Sequence, residues 1–147
     1  MEVVESVCKC ADAHLHCHGA ALQYAYIPEA RWDECGDLAA ELGCEVVLFF
    51  PTDEGNTFDA APTVLWHDVA ARFPDRPVPP PPFTTTLELR GQQDCSDALA
   101  ERDARGLWRF LQRHGMVAGD PGPPPAPRCR PTPLSGSDSL VAPRAGI

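Results

Sequence analysis

The sequence predicts a small single-domain α/β sandwich with the element order (β)βαβαβα, followed by a disordered, proline-rich C-terminal tail. Two observations favour this fold class. Short segments rich in β-branched and aromatic residues alternate with segments of helical periodicity, and the prolines are concentrated in two places. The 147 residues allow one modest core, which we place at residues 1–118, with the tail at 119–147. The bracketed strand covers residues 3–8.

The first half of the domain reads as a strand–helix–strand unit. Residues 22–27 (LQYAYI) form the first strand, and a helix covers 28–43, with Pro28 in its first turn and Gly43 as a left-handed cap. The continuous apolar run at 44–50 (CEVVLFF) is typical of a strand buried on both faces. Such a unit favours a parallel strand pair with a right-handed crossover.

The second half adds a helix, a strand and a last helix. The helix at about 62–73 has an inner face of apolar residues, namely Leu65, Trp66, Val69, Ala70 and Phe73. The alternating segment 83–90 (FTTTLELR) predicts a half-exposed strand. Asp97 can cap a final helix that ends at about His114, before Gly115. The tail has eight prolines in 29 residues and no apolar periodicity, so we expect it to be disordered.

The charge and the cysteines restrict the environment and the partners. Residues 1–75 hold 14 acidic against three basic side chains, which argues against nucleic-acid binding by this half. The sequence contains no apolar run of about 20 residues and no signal-like start, so we expect no membrane association and an intracellular, cytoplasmic or nuclear, location. Seven cysteines cannot all pair, and a reducing compartment disfavours disulfides.

The segment 8–18 (CKCADAHLHCH) has a metal-ligand type of residue at nearly every second position. In an extended strand these residues share one face, where two neighbours can converge on one ion. Imidazole, thiolate and carboxylate groups suit Zn²⁺ first, and the further ligands would be His67, Cys35, Cys44 or unused members of the segment. An ordinary segment with incidental His and Cys residues is the competing interpretation. The candidate metal ligands are Cys8, Cys10, Asp12, His14, His16, Cys17 and His18.

The same segment offers a catalytic alternative. Asp12-Ala13-His14-Leu15-His16 resembles the D-x-H-x-H element of metal-dependent amidohydrolases and related phosphoesterases. The resemblance covers five residues and implies paired histidines that bind a water-activating metal. Those enzymes are barrels of more than about 200 residues, and the present chain is too short to close one.

The proline-rich segment 74–82 has six prolines in nine residues, which favours a stiff polyproline II conformation. It also fits the R-x-x-P-x-x-P form that SH3 domains recognise, with Arg76, Pro79 and Pro82 in register. A rigid connector within the domain is the alternative interpretation.

From these features we predict a binding or regulatory module that acts through protein–protein interaction and carries an N-terminal Zn site. An enzyme is the less favoured interpretation. The first alternative is a small metal-dependent hydrolase that uses Asp12, His14 and His16. The second is an adaptor that presents the Arg76–Pro82 segment to an SH3-containing partner. The sequence gives no prediction of the oligomeric state.

Overall fold

The computed structural model describes residues 13–18, 23–50, 61–91 and 93–137. Within them, five strands form one sheet. Their bounds are β1 Ala13–His18, β2 Gln23–Pro28, β3 Val46–Phe50, β4 Phe83–Leu89 and β5 Thr132–Pro133.

Helices connect and cover these strands. A 3-10 turn at Glu29–Arg31 precedes two short helices, and a second 3-10 turn at Leu134–Gly136 follows β5. The α-helices are α1 Trp32–Cys35, α2 Asp37–Leu42, α3 Ala61–Arg72 and α4 Asp97–Arg113. Gly43 has φ +66° and ends α2 in the left-handed conformation, as predicted, because glycine adopts it without a Cβ penalty. At α4 the cap is Ser96 rather than Asp97, since its Oγ accepts a hydrogen bond from Leu99 N.

The sheet has the strand order β1-β4-β2-β3-β5. β1 pairs in parallel with β4, and β3 pairs in parallel with both β2 and β5. β2 and β4 are antiparallel and join the two parallel parts. The predicted α/β fold with a parallel strand–helix–strand unit is therefore confirmed.

The hydrophobic core lies on the side of the sheet that α2 and α4 cover. Phe110 of α4 is fully buried, and its ring lies 6.0 Å from that of Phe83 on β4. The buried apolar residues are Ala25, Ile27, Cys35, Leu38, Ala39, Leu42, Cys44, Val47, Phe83, Leu87 and Phe110.

The expectation of a half-exposed fourth strand is wrong. β4 lies between β1 and β2, and its first five residues are buried on both faces. Thr84 and Thr86 look like solvent-facing residues in the sequence, but they are 2% and 8% exposed. The continuous apolar strand β3 is less central, since its outer neighbour is the two-residue β5.

The expected inner face of the 62–73 helix is also wrong. Only Pro62 and Thr63 of α3 are buried, whereas Leu65 is 38% and Phe73 50% exposed. The first turn of α3 therefore makes the contacts with the sheet, and most of its apolar surface is not covered.

The disorder expected for the tail is not confirmed. Thr132 and Pro133 pair with Leu48 and Phe49 of β3, and Cys129 packs against the core. The strand expected at 3–8 lies outside the described residues. In the parts of the chain that the structure describes, no helix is long and apolar enough to span a bilayer.

Candidate functional site

The register of β1 and β4 places the histidines beside polar residues of the central strand. His14 is paired with Thr84, His16 with Thr86, and His18 with Glu88. Residues that are paired across two strands lie on the same face of a sheet, and successive residues alternate between faces. The three histidines therefore share the face that carries Glu88.

The antiparallel pairing of β2 and β4 adds two tyrosines to the same face. Tyr24 is paired with Glu88, and Tyr26 with Thr86. Glu88 is thus flanked by a histidine position on one side and a tyrosine position on the other. We call this surface the histidine face, and its residues are His14, His16, His18, Tyr24, Tyr26, Thr84, Thr86 and Glu88.

Glu88 is the member of this face that sequence reasoning missed. Its Oε2 atom is buried, and it has no hydrogen-bond partner among the residues that the structure describes. A buried carboxylate oxygen without a partner loses its hydration and is costly. A cation, or the proton of a bound molecule, would offset that cost. The sequence does contain one signal for Glu88: it is the single acidic residue in the otherwise apolar and threonine-rich segment FTTTLEL.

The other predicted ligands fall into two groups. Cys17 is paired with Leu87, so it belongs to the opposite face of the sheet from the histidines. Cys8, Cys10 and Asp12 lie outside the described residues. Among the residues described, no group of three or more His, Cys, Asp or Glu side chains is placed to hold a metal. By strand register His14, His16 and His18 share a face, and a metal bound by His14 and His16 would need at least one further ligand.

Two cysteines that the sequence offered as additional ligands are unsuitable. Cys35 and Cys44 are 2% and 1% exposed, and both belong to the core. Burial raises the pKa of each thiol to about 12. Because metals bind the thiolate, these two groups are structural.

A buried polar cluster fixes the end of β4 behind Glu88. Asp103 of α4 has a side chain only 8% exposed and forms an ion pair with Arg90. Arg90 also donates to Gln23 Oε1 at 2.7 Å. Arg90 has φ +87°, a conformation that costs a non-glycine residue about 1–3 kcal/mol. The contacts of its guanidinium with Asp103 and Gln23 hold the strand end in this conformation.

A small pocket opens at the other end of the histidine face. Its volume is about 110 Å³, and α3 and the proline-rich segment form two of its walls. The residues that line it are Pro28, Ala30, Arg31, Thr63, His67, Pro81, Pro82 and Thr84.

The R-x-x-P-x-x-P segment contributes to this pocket. Arg76 and Pro79 are exposed, but Pro82 is buried. Arg31 donates a hydrogen bond from a terminal guanidinium nitrogen to the Pro81 carbonyl at 3.2 Å and so ties the segment to the domain. Binding of an SH3 domain stays a prediction, and it would need Pro82 to leave its buried position.

The fold is similar to that of three solved structures. The first is a protein from Shewanella frigidimarina assigned as a succinylglutamate desuccinylase/aspartoacylase, with a TM-score of 0.77 and 25% identity over 99% of this chain. The second, from Shewanella amazonensis and assigned to the same family, has a TM-score of 0.77 and 26% identity over 98% of this chain. The third, a Rhodobacter sphaeroides protein with the same assignment, covers 82% of this chain with a TM-score of 0.50 at 16% identity, which supports the fold alone.

This chain spans about two fifths of the length of the Shewanella proteins, 39% in each case. No protein-family model and no curated protein matches the sequence.

These similarities overturn the main functional prediction. A binding or regulatory module that acts through protein–protein interaction is wrong, because the similar structures carry names of hydrolases. The metal-dependent hydrolase alternative fits them better. The α/β fold of this chain is thus one that proteins assigned as succinylglutamate desuccinylases/aspartoacylases share, and its histidine face is the candidate site.

Proposed function

We propose that this chain forms the histidine-bearing part of a metal-dependent hydrolase that cleaves the amide bond of an N-acyl amino acid. The observation that carries the proposal is Glu88, a buried carboxylate oxygen without a described partner, in register with His18 on the histidine face. The names of the two Shewanella proteins supply the reaction class.

The donor set of the histidine face fits Zn²⁺. His14 and His16 are alternate residues of one strand, and imidazole is a common zinc ligand. Asp12 precedes them at the same spacing and is the first candidate for a third ligand. When bound, zinc would polarise the substrate carbonyl and lower the pKa of a water molecule.

Glu88 is the candidate general base, because its Oε2 atom is buried without a described partner at a position of the histidine face. Its unpaired oxygen can accept a proton from the attacking water, whose oxygen forms a bond with the carbonyl carbon of the amide. The carbon–nitrogen bond then breaks, and Glu88 returns the proton to the leaving amine. The products are a carboxylate and a free amino acid. The ion pair between Arg90 and Asp103 holds the strand end that carries Glu88.

The test combines a metal assay with an activity assay on the full chain, purified without a histidine tag. N-acetylaspartate and N-succinylglutamate serve as substrates, and release of the free amine is measured with and without added Zn²⁺. We expect Glu88→Gln to lower the rate by about 10²–10⁴-fold, the usual contribution of a general base. Glu101→Gln, a matched change at an exposed acid of α4, should leave the rate unchanged.

The metal assay uses changes on the two faces of β1. His14→Ala and His16→Ala should reduce bound zinc, whereas Cys17→Ser, on the other face, should retain it. The proposal fails if the chain neither binds zinc nor hydrolyses any N-acyl amino acid, or if Glu88→Gln keeps the parental rate.

A further inference from the structure

We propose that the 110 Å³ pocket beside Thr84 is the subsite for the acyl group, and that it takes a short, unbranched, uncharged acyl chain. This inference rests on the proposed function and extends it by naming the substrate class. Along β4 the pocket comes first at Thr84, the middle of the histidine face follows at Thr86, and Glu88 comes last.

The position of the pocket relative to the histidines comes from the strand register. Thr84 lines the pocket and is the paired neighbour of His14, one strand away at about 4.8 Å. Thr86 and Glu88 follow on the same face at steps of about 6.6 Å. In the proposed binding mode the acyl chain occupies the pocket, and its carbonyl group extends along β4 from Thr84 towards Thr86 and Glu88.

The lining of the pocket is suited to an uncharged chain. Pro28, Pro81 and Pro82 present ring carbons, and the Thr63 and Thr84 hydroxyls face each other at 3.4 Å. Because these two hydroxyls can satisfy one another, the floor of the pocket does not demand a polar ligand.

The guanidinium group of Arg31 already has an acidic partner. Of the lining residues, Arg31 alone carries a permanent positive charge, and its guanidinium is paired with Glu34 at 2.7 Å and donates to the Pro81 carbonyl. A carboxylate at the far end of the acyl chain would have to compete with Glu34 for it. We therefore expect a butyryl chain to bind better than a succinyl chain.

The volume limits the length of the chain. A cavity of about 150 Å³ binds one benzene molecule, so 110 Å³ accommodates roughly four non-hydrogen atoms beyond the carbonyl. A butyryl group fits this space, and a hexanoyl or benzoyl group exceeds it. The limit should be sharp, because prolines form one wall and the bond from Arg31 to Pro81 braces it.

The test is a series of N-acetyl, N-butyryl, N-succinyl and N-hexanoyl derivatives of one amino acid, assayed with the full chain. We expect kcat/KM for the butyryl substrate to exceed those for the hexanoyl and succinyl substrates by at least about tenfold, the effect of one or two misfitted groups in a pocket. Thr63→Leu fills the pocket and should shift the preference from butyryl to acetyl. Ala71→Leu, at an exposed site of the same helix, should not.

A binding measurement separates failure of this inference from failure of the proposed function. Butyrate is titrated into the isotopically labelled chain, and amide shifts at Thr63, Thr84 and Arg31 are followed. If hydrolysis occurs but hexanoyl and butyryl substrates react equally, the acyl subsite is wrong and the proposed function stands. If no substrate is hydrolysed, the proposed function fails. Amide shifts at Thr63, Thr84 and Arg31 would then still support binding of an acyl chain in the pocket, and the absence of such shifts would overturn it.

Discussion

The two faces of the sheet differ in how completely helices cover them. On the core face, Phe110 and Leu87 are at most 1% exposed, and α2 and α4 close the layer. On the histidine face, α3 covers the sheet mainly through its first turn and leaves Phe73 half exposed. Dense apolar packing stabilises a fold, whereas the polar face holds the buried, unpartnered Glu88 Oε2 atom and borders the small pocket. We therefore expect stability to depend on the first face and activity on the second.

The largest effect should come from matched truncations on the two faces. Phe110→Ala removes a fully buried ring that contacts Phe83 and should lower the free energy of unfolding by about 4 kcal/mol. Phe73→Ala removes a ring that is 50% exposed and should cost less than about 1 kcal/mol. Urea unfolding followed by circular dichroism measures both. Equal losses would show that α3 packs as tightly as α4.

The second effect tests the polar contacts that close the core face. The Glu41 side chain is 0% exposed and accepts hydrogen bonds from Arg109 and Arg113, each at 2.6 Å. Glu41→Ala removes the buried carboxylate from two guanidinium groups, of which Arg113 keeps its contacts with Asp37 and Gly122, and should cost about 3 kcal/mol, as for other broken buried ion pairs. Glu101→Ala, which breaks the exposed pair with Arg105, should cost less than about 0.5 kcal/mol. If the two changes have the same effect on the urea midpoint, the Glu41 contacts do not stabilise the fold.

Features that depend on contacts between residues close in sequence were predicted correctly, and features that depend on residues far apart in sequence were not. The end of the helical segment at Gly43 was predicted because its cap depends on residues within one turn, whereas the single helix expected over 28–43 is wrong, since Pro28 ends β2 and the helix is interrupted at Gly36. The environment of β4 was not, because its neighbours β1 and β2 are distant in sequence and only the sheet order makes it central. The inner face of α3 was wrong for a related reason: helical periodicity identifies an apolar stripe, but it does not show what covers that stripe.

The same distinction applies to the site. The alternation of His14, His16 and His18 is local, and the register of β1 gives these three positions one face of the sheet, while metal binding by them stays a prediction. Glu88 lies 70 residues beyond His18, and only the register of β1 and β4 brings the two together. The pocket combines β2, α3 and the proline-rich segment, so no single stretch of sequence could have indicated it.

The third effect tests how closely α2 and α4 approach each other on the core face. A Cβ added at Gly106 would lie 2.7 Å from the Glu41 carbonyl oxygen, a distance that forces the backbone to shift. Gly106→Ala gains about 1 kcal/mol of helix propensity, but the overpacking should exceed that gain and leave a net loss of about 1 kcal/mol. Ala104→Gly, at an exposed site of the same helix, is the comparison and should lose about 1 kcal/mol through propensity alone. A more stable Gly106→Ala protein in thermal unfolding would mean that the two helices can separate without cost.

The fourth effect concerns the two core thiols at alkaline pH. Burial raises the pKa of Cys35 and Cys44 from 9.0 to about 12. Between these values the unfolded chain releases protons that the folded chain retains, so the free energy of unfolding falls as the pH rises above about 9. From pH 8 to pH 10 each thiol should contribute a loss of about 1.4 kcal/mol.

Comparing variants isolates this contribution from other groups that titrate in the same range. Between pH 8 and pH 10 the free energy of unfolding of Cys44→Ala should fall by about 1.4 kcal/mol less than that of the parent protein. This holds whatever the substitution does to stability at pH 8. Phe73→Ala, which removes no titratable group, should leave the loss unchanged. Urea unfolding at the two pH values gives both differences. Since Cys44 lies within the core cluster, an unchanged pH dependence in Cys44→Ala would mean that water reaches the core face and that the two faces are less different than their coverage indicates.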